Sequence, residues 1–240
     1  MKTKISIGIQ ARSTSNRLPN KVHALIGNKP MICHVVQAAR SAANYISKYR
    51  SAGPFDCRVF LLIPKNDPVG ALVKDYYHDV TIIEGDEHDV LSRYQAMSDQ
   101  SGGEWIVRIT GDCPMIPPYL ISKAILEAHA RGAAYVSNVY EGMRLSPDGW
   151  DCEVMSKRLL SWANDTARGQ DREHVTTIMR REPPGWARMA MLHGFLDLSA
   201  LKISIDTEED LARVRAQFEK VATSEEQFKR KYGDGDIVRF

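Results

Sequence analysis

The sequence predicts an α/β protein, a mostly parallel sheet covered by helices on both faces. Three observations carry that prediction. Short apolar runs alternate with longer stretches of helical periodicity along most of the 240 residues. One of those runs, Arg58-Val59-Phe60-Leu61-Leu62-Ile63, is apolar without alternation, as in a strand buried on both sides. Polar or glycine-bearing segments follow the runs at residues 10–21, 64–67, 84–89 and 110–114. Parallel sheets bind ligands there, beyond the carboxyl ends of their strands.

The elements follow in order. Ile5-Ser6-Ile7-Gly8-Ile9 reads as a strand. Residues 30–48 place Ile32, Val35, Val36, Ala39, Ala43 and Ile46 on one helical stripe. The run 58–63 is the next strand, stopped by Pro64. Asp67 is placed to cap a short helix through Tyr76, and residues 80–83 form a brief strand. Residues 88–98 put Val90, Leu91, Tyr94 and Met97 on one helix face. Residues 104–109 are a strand, 118–130 a helix and 134–138 a strand. The stretch 140–195 breaks the alternation, with Gly142, Pro147, Gly149, Gly169, Pro183, Pro184 and Gly185. It reads as an arm within a single domain spanning 1–240, and its Trp150, Trp162 and Trp186 read as core or interface residues. Residues 202–205 are strand-like, and Thr207 with Glu208, Glu209 and Asp210 opens a last helix. Glu209–Arg213, Glu225–Lys229 and Glu226–Arg230 have the i,i+4 spacing of helical ion pairs.

Composition narrows the function. Hydrophobic residues make up 43% and charged residues 26%, which is globular and not disordered. A net charge of +2 argues against an electrostatic nucleic-acid binder. No apolar run reaches the roughly 18 residues that span a bilayer, and no secretion signal opens the chain, so a cytoplasmic protein without a membrane partner is expected. Cys33, Cys57, Cys113 and Cys152 lie far apart with no CxxC pair, which argues for reduced thiols over a zinc site or a disulfide framework.

Three segments carry chemistry. Residues 10–21 gather three cations (Arg12, Arg17, Lys21) and three hydroxyls (Ser13, Thr14, Ser15) just after the first strand. Phosphoryl oxygens need such converging donors, though a solvated polar loop has the same composition. In Arg108-Ile109-Thr110-Gly111-Asp112-Cys113-Pro114, Asp112 stands where a strand-end carboxylate holds magnesium, and Gly111 would admit a ligand close to the backbone. Taken alone, a turn in which Asp112 bonds its own backbone is the simpler reading. Asp206 lies at a second strand-to-helix junction, where a carboxylate also suits the helix N-terminus. Together the two aspartates would make a magnesium pair.

These segments resemble a known family. Ala11-Arg12 … Ser15 … Arg17-Leu18-Pro19 … Lys21 is similar to the nucleotide-binding signature of cytidylyltransferases, above all the spore coat polysaccharide branch. The resemblance continues through Gly85-Asp86 … Asp89-Val90-Leu91 … Arg93-Tyr94, the segment 108–114, Val136-Ser137-Asn138 and Asp148-Gly149 … Asp151 … Glu153-Val154. It ends in Asp171-Arg172-Glu173-His174-Val175-Thr176 and Asp206-Thr207-Glu208-Glu209-Asp210-Leu211, and covers about residues 4–215. It implies a GT-A-like nucleotide-diphospho-sugar transferase fold, and transfer of CMP from CTP to a sugar acid or related alcohol with release of pyrophosphate. It implies Mg²⁺ as cofactor, held by Asp112 and Asp206, and a triphosphate bound by Arg12 and Lys21. Ala11, Ser15, Asn16, Arg17, Asp86, Arg93, Thr110 and Gly111 would complete the nucleotide site, with Asn16 and residues 86–93 near the base. Asp148, Asp151, Glu153, Arg172 and His174 would face the acceptor, although residues 171–174 also read as a charged helix start. A homodimer exchanging the arm is expected by resemblance only. Thr14 and Asn20 stand where the family usually has glycine. Those two positions keep open a nucleotide-binding or assembly subunit without catalysis, and a second enzyme reading keeps the fold but takes another nucleotide, or a phosphonate or phosphorylated alcohol as acceptor.

Overall fold

The computed structural model describes residues 2–48, 55–140, 143–192 and 197–232, with side chains described as far as residue 221. Strand β1 (Thr3–Gln10) leads into a 3-10 turn (Lys21–His23) and the small hairpin β2 (Leu25–Ile26) and β3 (Lys29–Pro30). Then come α1 (Met31–Lys48), β4 (Phe55–Pro64), α2 (Val69–Tyr76), β5 (Thr81–Gly85), α3 (Val90–Ser101), β6 (Trp105–Thr110), α4 (Pro118–Arg131) and β7 (Tyr135–Ser137). The chain continues through β8 (Glu153–Ser156), α5 (Lys157–Thr166), α6 (Gln170–His174), α7 (Thr177–Arg181), β9 (Met189–Met191) and α8 (Glu208–Tyr232).

The strands of the main sheet lie in the order β5-β4-β1-β6-β8-β7-β9. All run parallel except β8, which pairs antiparallel with both β6 and β7. Two apolar layers cover the sheet. Ile5, Ile7, Ile9, Leu61, Ile63, Val107 and Ile109 pack on the side of α1 and α4. Phe60, Leu62, Ile83, Ile106 and Met155 pack on the side of α3 and α5. Alternate residues of the run 58–63 thus enter opposite layers, which is why that run shows no polar alternation. Each fully buried side chain of this size contributes about 1.5–3 kcal/mol, so two layers hold the sheet firmly.

The alternation predicted up to residue 138 is present. The stretch 140–195 differs from the expectation in part. It supplies β8 to the inside of the sheet, and α5 and α7 close over the second apolar layer through Leu159, Leu160, Ala163 and Met179. Trp150 and Trp162 pack against the two layers, and Trp186 is exposed beneath the Arg158 guanidinium. Gly142 lies outside the described residues. The segment 202–205 is not a full strand. It makes one bridge, Asp148 to Lys202, and closes on Gly149, whose φ of 111° and contact with the Ser204 backbone leave no room for a side chain. Arg213 bonds Asp210 and the Lys202 carbonyl, and the other two expected helical pairs lie beyond the described side chains.

The chain moves outward from β1 to β4 and β5, then returns to β6 on the other side of β1. Strand order therefore reverses between β1 and β6, and a ligand crevice is expected at their carboxyl ends.

Candidate functional site

Gln10 and Thr110 are partners at the last step of the β1–β6 register, and a cleft of about 420 Å³ opens above them. That volume suits a small-molecule ligand. Of the expected nucleotide residues, Ala11, Arg12, Ser15, Asn16, Arg17, Lys21, Arg93, Thr110 and Gly111 line it, together with Asp112, Asp206 and His174.

The loop after β1 is held by contacts within the protein. Asn20 takes the left-handed conformation, φ 57° and ψ 23°, and starts the turn that carries Lys21. An asparagine adopts it at low cost, so glycine is not needed here. Thr14 is not among the described residues with positive φ. Its hydroxyl donates to Glu87 across the cleft. Ser13 turns inward: its amide and hydroxyl donate to the Asp67 carboxylate at 2.8 and 2.5 Å, and its hydroxyl lies 2.8 Å from His23 Nε2. Of the three hydroxyls expected to face phosphate, Ser13 is therefore used inside the protein. Gly111 is also explained by protein contacts, since a Cβ there would stand 2.9 Å from the Ala11 methyl and 3.1 Å from the Gln10 carbonyl.

Asp112 and Asp206 converge. The Ile205 amide donates to the Asp112 carbonyl at 3.0 Å, which sets the two carboxylate-bearing segments side by side. A reciprocal cap then fixes the start of α8: Asp210 accepts from the Asp206 and Thr207 amides, and Thr207 Oγ1 accepts from the Asp210 amide. Lys21 Nζ lies 2.9 Å from Asp112 Oδ2 and 3.1 Å from Asp206 Oδ1, and Arg17 reaches Asp206 Oδ1 at 2.9 Å. Burial pulls the Lys21 pKa down, but the two carboxylates outweigh it and hold the ammonium above its ordinary value. Burial pushes the Asp112 carboxyl up, and Lys21, with hydrogen bonds from Thr110 and the backbone, more than reverses that.

Across the cleft, Arg12 stands 3.6 Å from Glu87 and 3.4 Å from Glu173. Arg93 is buried and donates to the Leu62 and Glu87 carbonyls at 3.0 and 3.4 Å. His174 is held by a tight turn. The Thr176 amide reaches the His174 carbonyl at 2.6 Å, and Val175 between them takes φ 62° and ψ −61°. A β-branched residue with positive φ is strained, and here the buried Val175 side chain anchors the turn.

Five expected site residues are not among those lining the cleft. The Asp86 carboxylate accepts from the His88 and Asp89 amides and shapes the turn before α3. Arg172 braces α6, donating to Asp89 and twice to Asn164. Asp151 forms a two-pronged pair with Arg144 at 2.7 and 3.0 Å. Asp148 sits in the bridge to the segment 202–205. Glu153 is buried on β8 among Arg108, Arg180 and Tyr135. Of the expected acceptor residues, His174 alone reaches the cleft. Gln10, Arg108 and Glu173, which the sequence did not mark as site residues, also line it, as does Glu87 from the segment 86–93. The signal for Arg108 was its place two residues before Thr110 on one strand, hence on the same face.

The sequence pattern of the cytidylyltransferase family matches residues 7–231. An uncharacterised protein of Methanocaldococcus jannaschii is 30% identical over 205 residues, 84% of this chain and 78% of that protein. The spore coat polysaccharide biosynthesis protein SpsF of Bacillus subtilis is 26% identical over 219 residues, 88% of this chain and 85% of that one. The solved structure of a cytidylyltransferase from Leptospira borgpetersenii overlays with a TM-score of 0.75 at 20% identity, covering 99% of this chain and all of that one, so the fold is shared. With the pattern spanning nearly the whole chain, this protein belongs to the cytidylyltransferase family.

Proposed function

We propose that the protein transfers CMP from CTP to a hydroxyl of a sugar-acid-like acceptor, releasing pyrophosphate, in the synthesis of a surface-glycan precursor, and that it works with Mg²⁺ and as a homodimer. The observation that carries this reading is the convergence of Lys21, Asp112 and Asp206 beside Arg12 and Arg17 at the strand-order reversal. In-line attack of a hydroxyl on the α-phosphorus builds negative charge on the departing pyrophosphate and the non-bridging oxygens. Arg12, Arg17 and Lys21 would bind and stabilise those oxygens from a preformed loop. Thr110 and Ser15 offer hydroxyls at the rim, and Asn16 and Arg93 offer polar groups for the base. His174 and Glu173 stand on the other wall, where the acceptor would be oriented.

The donor set fits magnesium. Asp112 and Asp206 supply hard oxygens that already converge on one cation, the Lys21 ammonium. No group of three or more His, Cys, Asp or Glu placed to hold a metal ion exists among the described residues. Magnesium favours this arrangement, one or two carboxylates completed by phosphate oxygens and water. When bound, the ion would neutralise developing charge and ease deprotonation of the attacking hydroxyl.

The test is a thermal-shift panel of CTP, UTP, ATP and GTP with magnesium, followed by pyrophosphate release from CTP across sugar acids and phosphorylated alcohols. CTP should raise the melting temperature most, since a ligand at 100 times its Kd stabilises by about 2.7 kcal/mol. A sugar acid should trigger pyrophosphate release. Equal shifts with all four nucleotides, or release only with phosphorylated alcohols, would replace the base or the acceptor in this reading. Light scattering of the purified chain checks the dimer.

A further inference from the structure

The two carboxylates assigned to the ion already hold a cation. Lys21 Nζ donates to Asp112 Oδ2 at 2.9 Å, to Asp206 Oδ1 at 3.1 Å and to the Ile205 carbonyl at 2.7 Å. An ammonium has three protons, and here each has its own oxygen. The Lys21 side chain is only 12% exposed, so the cation is fully committed to this site. Magnesium draws its oxygens in to about 2.0–2.1 Å, so it and the ammonium cannot share the same triangle.

We propose that Lys21 is a placeholder cation, which keeps the aspartate pair assembled before substrate arrives and is displaced by the divalent ion as the triphosphate takes up the freed ammonium. This rests on the magnesium-dependent reading given above. The two aspartates respond differently. Asp206 keeps Arg17 at 2.9 Å and Lys202 at 3.5 Å once Lys21 leaves. Asp112 has no other cation in ion-pair range among the described residues. An ion that arrives alone and takes the oxygens Lys21 now holds must therefore expel Lys21 with nothing to receive it. An ion arriving with a triphosphate gives the ammonium new oxygens within the cleft that Lys21 lines. Ion and nucleotide binding are thereby coupled, and by linkage the coupling is equal in both directions.

The experiment measures Mn²⁺ binding by electron paramagnetic resonance in nucleotide-free protein. Wild type is compared with Lys21→Met, which removes the charge, and Lys21→Arg, which keeps it. Lys21→Met should bind Mn²⁺ about tenfold or more tightly than wild type, because two close carboxylates have lost their resident cation. Lys21→Arg should stay near wild type. A non-hydrolysable CTP analogue should tighten Mn²⁺ binding to wild type far more than to Lys21→Met. Unchanged or weaker binding by folded Lys21→Met would overturn the placeholder role. Should Lys21→Met fail to fold, the ¹⁵Nζ resonance of Lys21 in wild type decides. It should move when Mg²⁺ and the analogue are added, and a resonance that stays put overturns the proposal. Absence of Mn²⁺ binding to wild type and Lys21→Met alike, with and without the analogue, would remove the metal reading itself. Binding to wild type only with the analogue, without any gain in Lys21→Met, removes the placeholder alone.

Discussion

Asp112 and Asp206 are 94 positions apart, yet one lysine nitrogen touches both. Each taken alone has an ordinary structural explanation, a turn carboxylate or a helix-start carboxylate. Their convergence makes a joint expectation. Replacing either aspartate by asparagine removes charge with little change in shape. Each single change should lower magnesium-dependent turnover by about 10²-fold or more, the scale seen when one preorganised electrostatic group is lost. The double variant should be little worse than either single one, because members of one catalytic unit are not additive. Turnover at saturating magnesium, measured for all three variants, checks this. Full activity in Asp206→Asn would leave Asp206 as a helix-start carboxylate, worth about 0.3–1 kcal/mol. Residue types and spacing placed both aspartates just after strands, while the family resemblance implied a shared ion. Neither could disclose the contact through Lys21, which depends on the Ile205 amide reaching the Asp112 carbonyl.

At the scale of elements, the loop after β1 is held from behind by α2. Asp67 accepts from the Ser13 amide and hydroxyl and from the Val69 amide at 3.0 Å, so one carboxylate caps the helix and anchors the loop after β1. Its capping role was legible, since an aspartate precedes a short apolar-periodic stretch. Its grip on Ser13 was not, because 54 positions separate them. Asp67→Ala should cost about 0.5–2 kcal/mol in denaturant unfolding, the usual worth of a cap. It should also raise the KM for CTP more than it lowers kcat, because a loosened loop binds the nucleotide less well. An unchanged KM beside the stability loss would confine Asp67 to capping. Elements with continuous apolar patterns, α1, β4, α3 and α4, were legible for a physical reason: both the sheet and the helix face bury them. β8 was hidden because it opens with Glu153, a charged residue whose burial only makes sense once its partners are known. The expected strand at 202–205 failed for the opposite reason. Ile203 and Ile205 are buried as a strand would bury them, but their amides go to Asp148 and Asp112 instead of a ladder.

At the scale of the whole molecule, Glu153 gathers three elements on the β6 side of the strand reversal, and Arg108 carries the network across it to Gln10 of β1. Glu153 is 2% exposed and accepts from Arg108 of β6, Arg180 of α7 at 2.9 Å and Tyr135 of β7. Arg108 also donates to Gln10 at 3.0 Å, so the network runs from the floor of the cleft to the far layer of helices. Burial pushes the Glu153 carboxyl up, and the two guanidiniums, with the hydroxyls of Tyr135 and Thr176, outweigh it and hold it below its ordinary value of 4.5. A carboxylate depressed in the folded state stabilises the protein at pH above its unfolded value. That contribution is lost as pH falls through the folded value. Glu153→Gln removes the charge and leaves both arginines without it, which for a broken buried pair costs about 3–5 kcal/mol. Urea unfolding followed from pH 7 down into the acid range should therefore give two curves that approach each other. Wild type should lose stability below the ordinary carboxylate value while Glu153→Gln, lacking the titrating group, loses less. A constant gap down to the lowest pH would mean that Glu153 acts by packing and hydrogen bonding, with its charge irrelevant to holding those elements together.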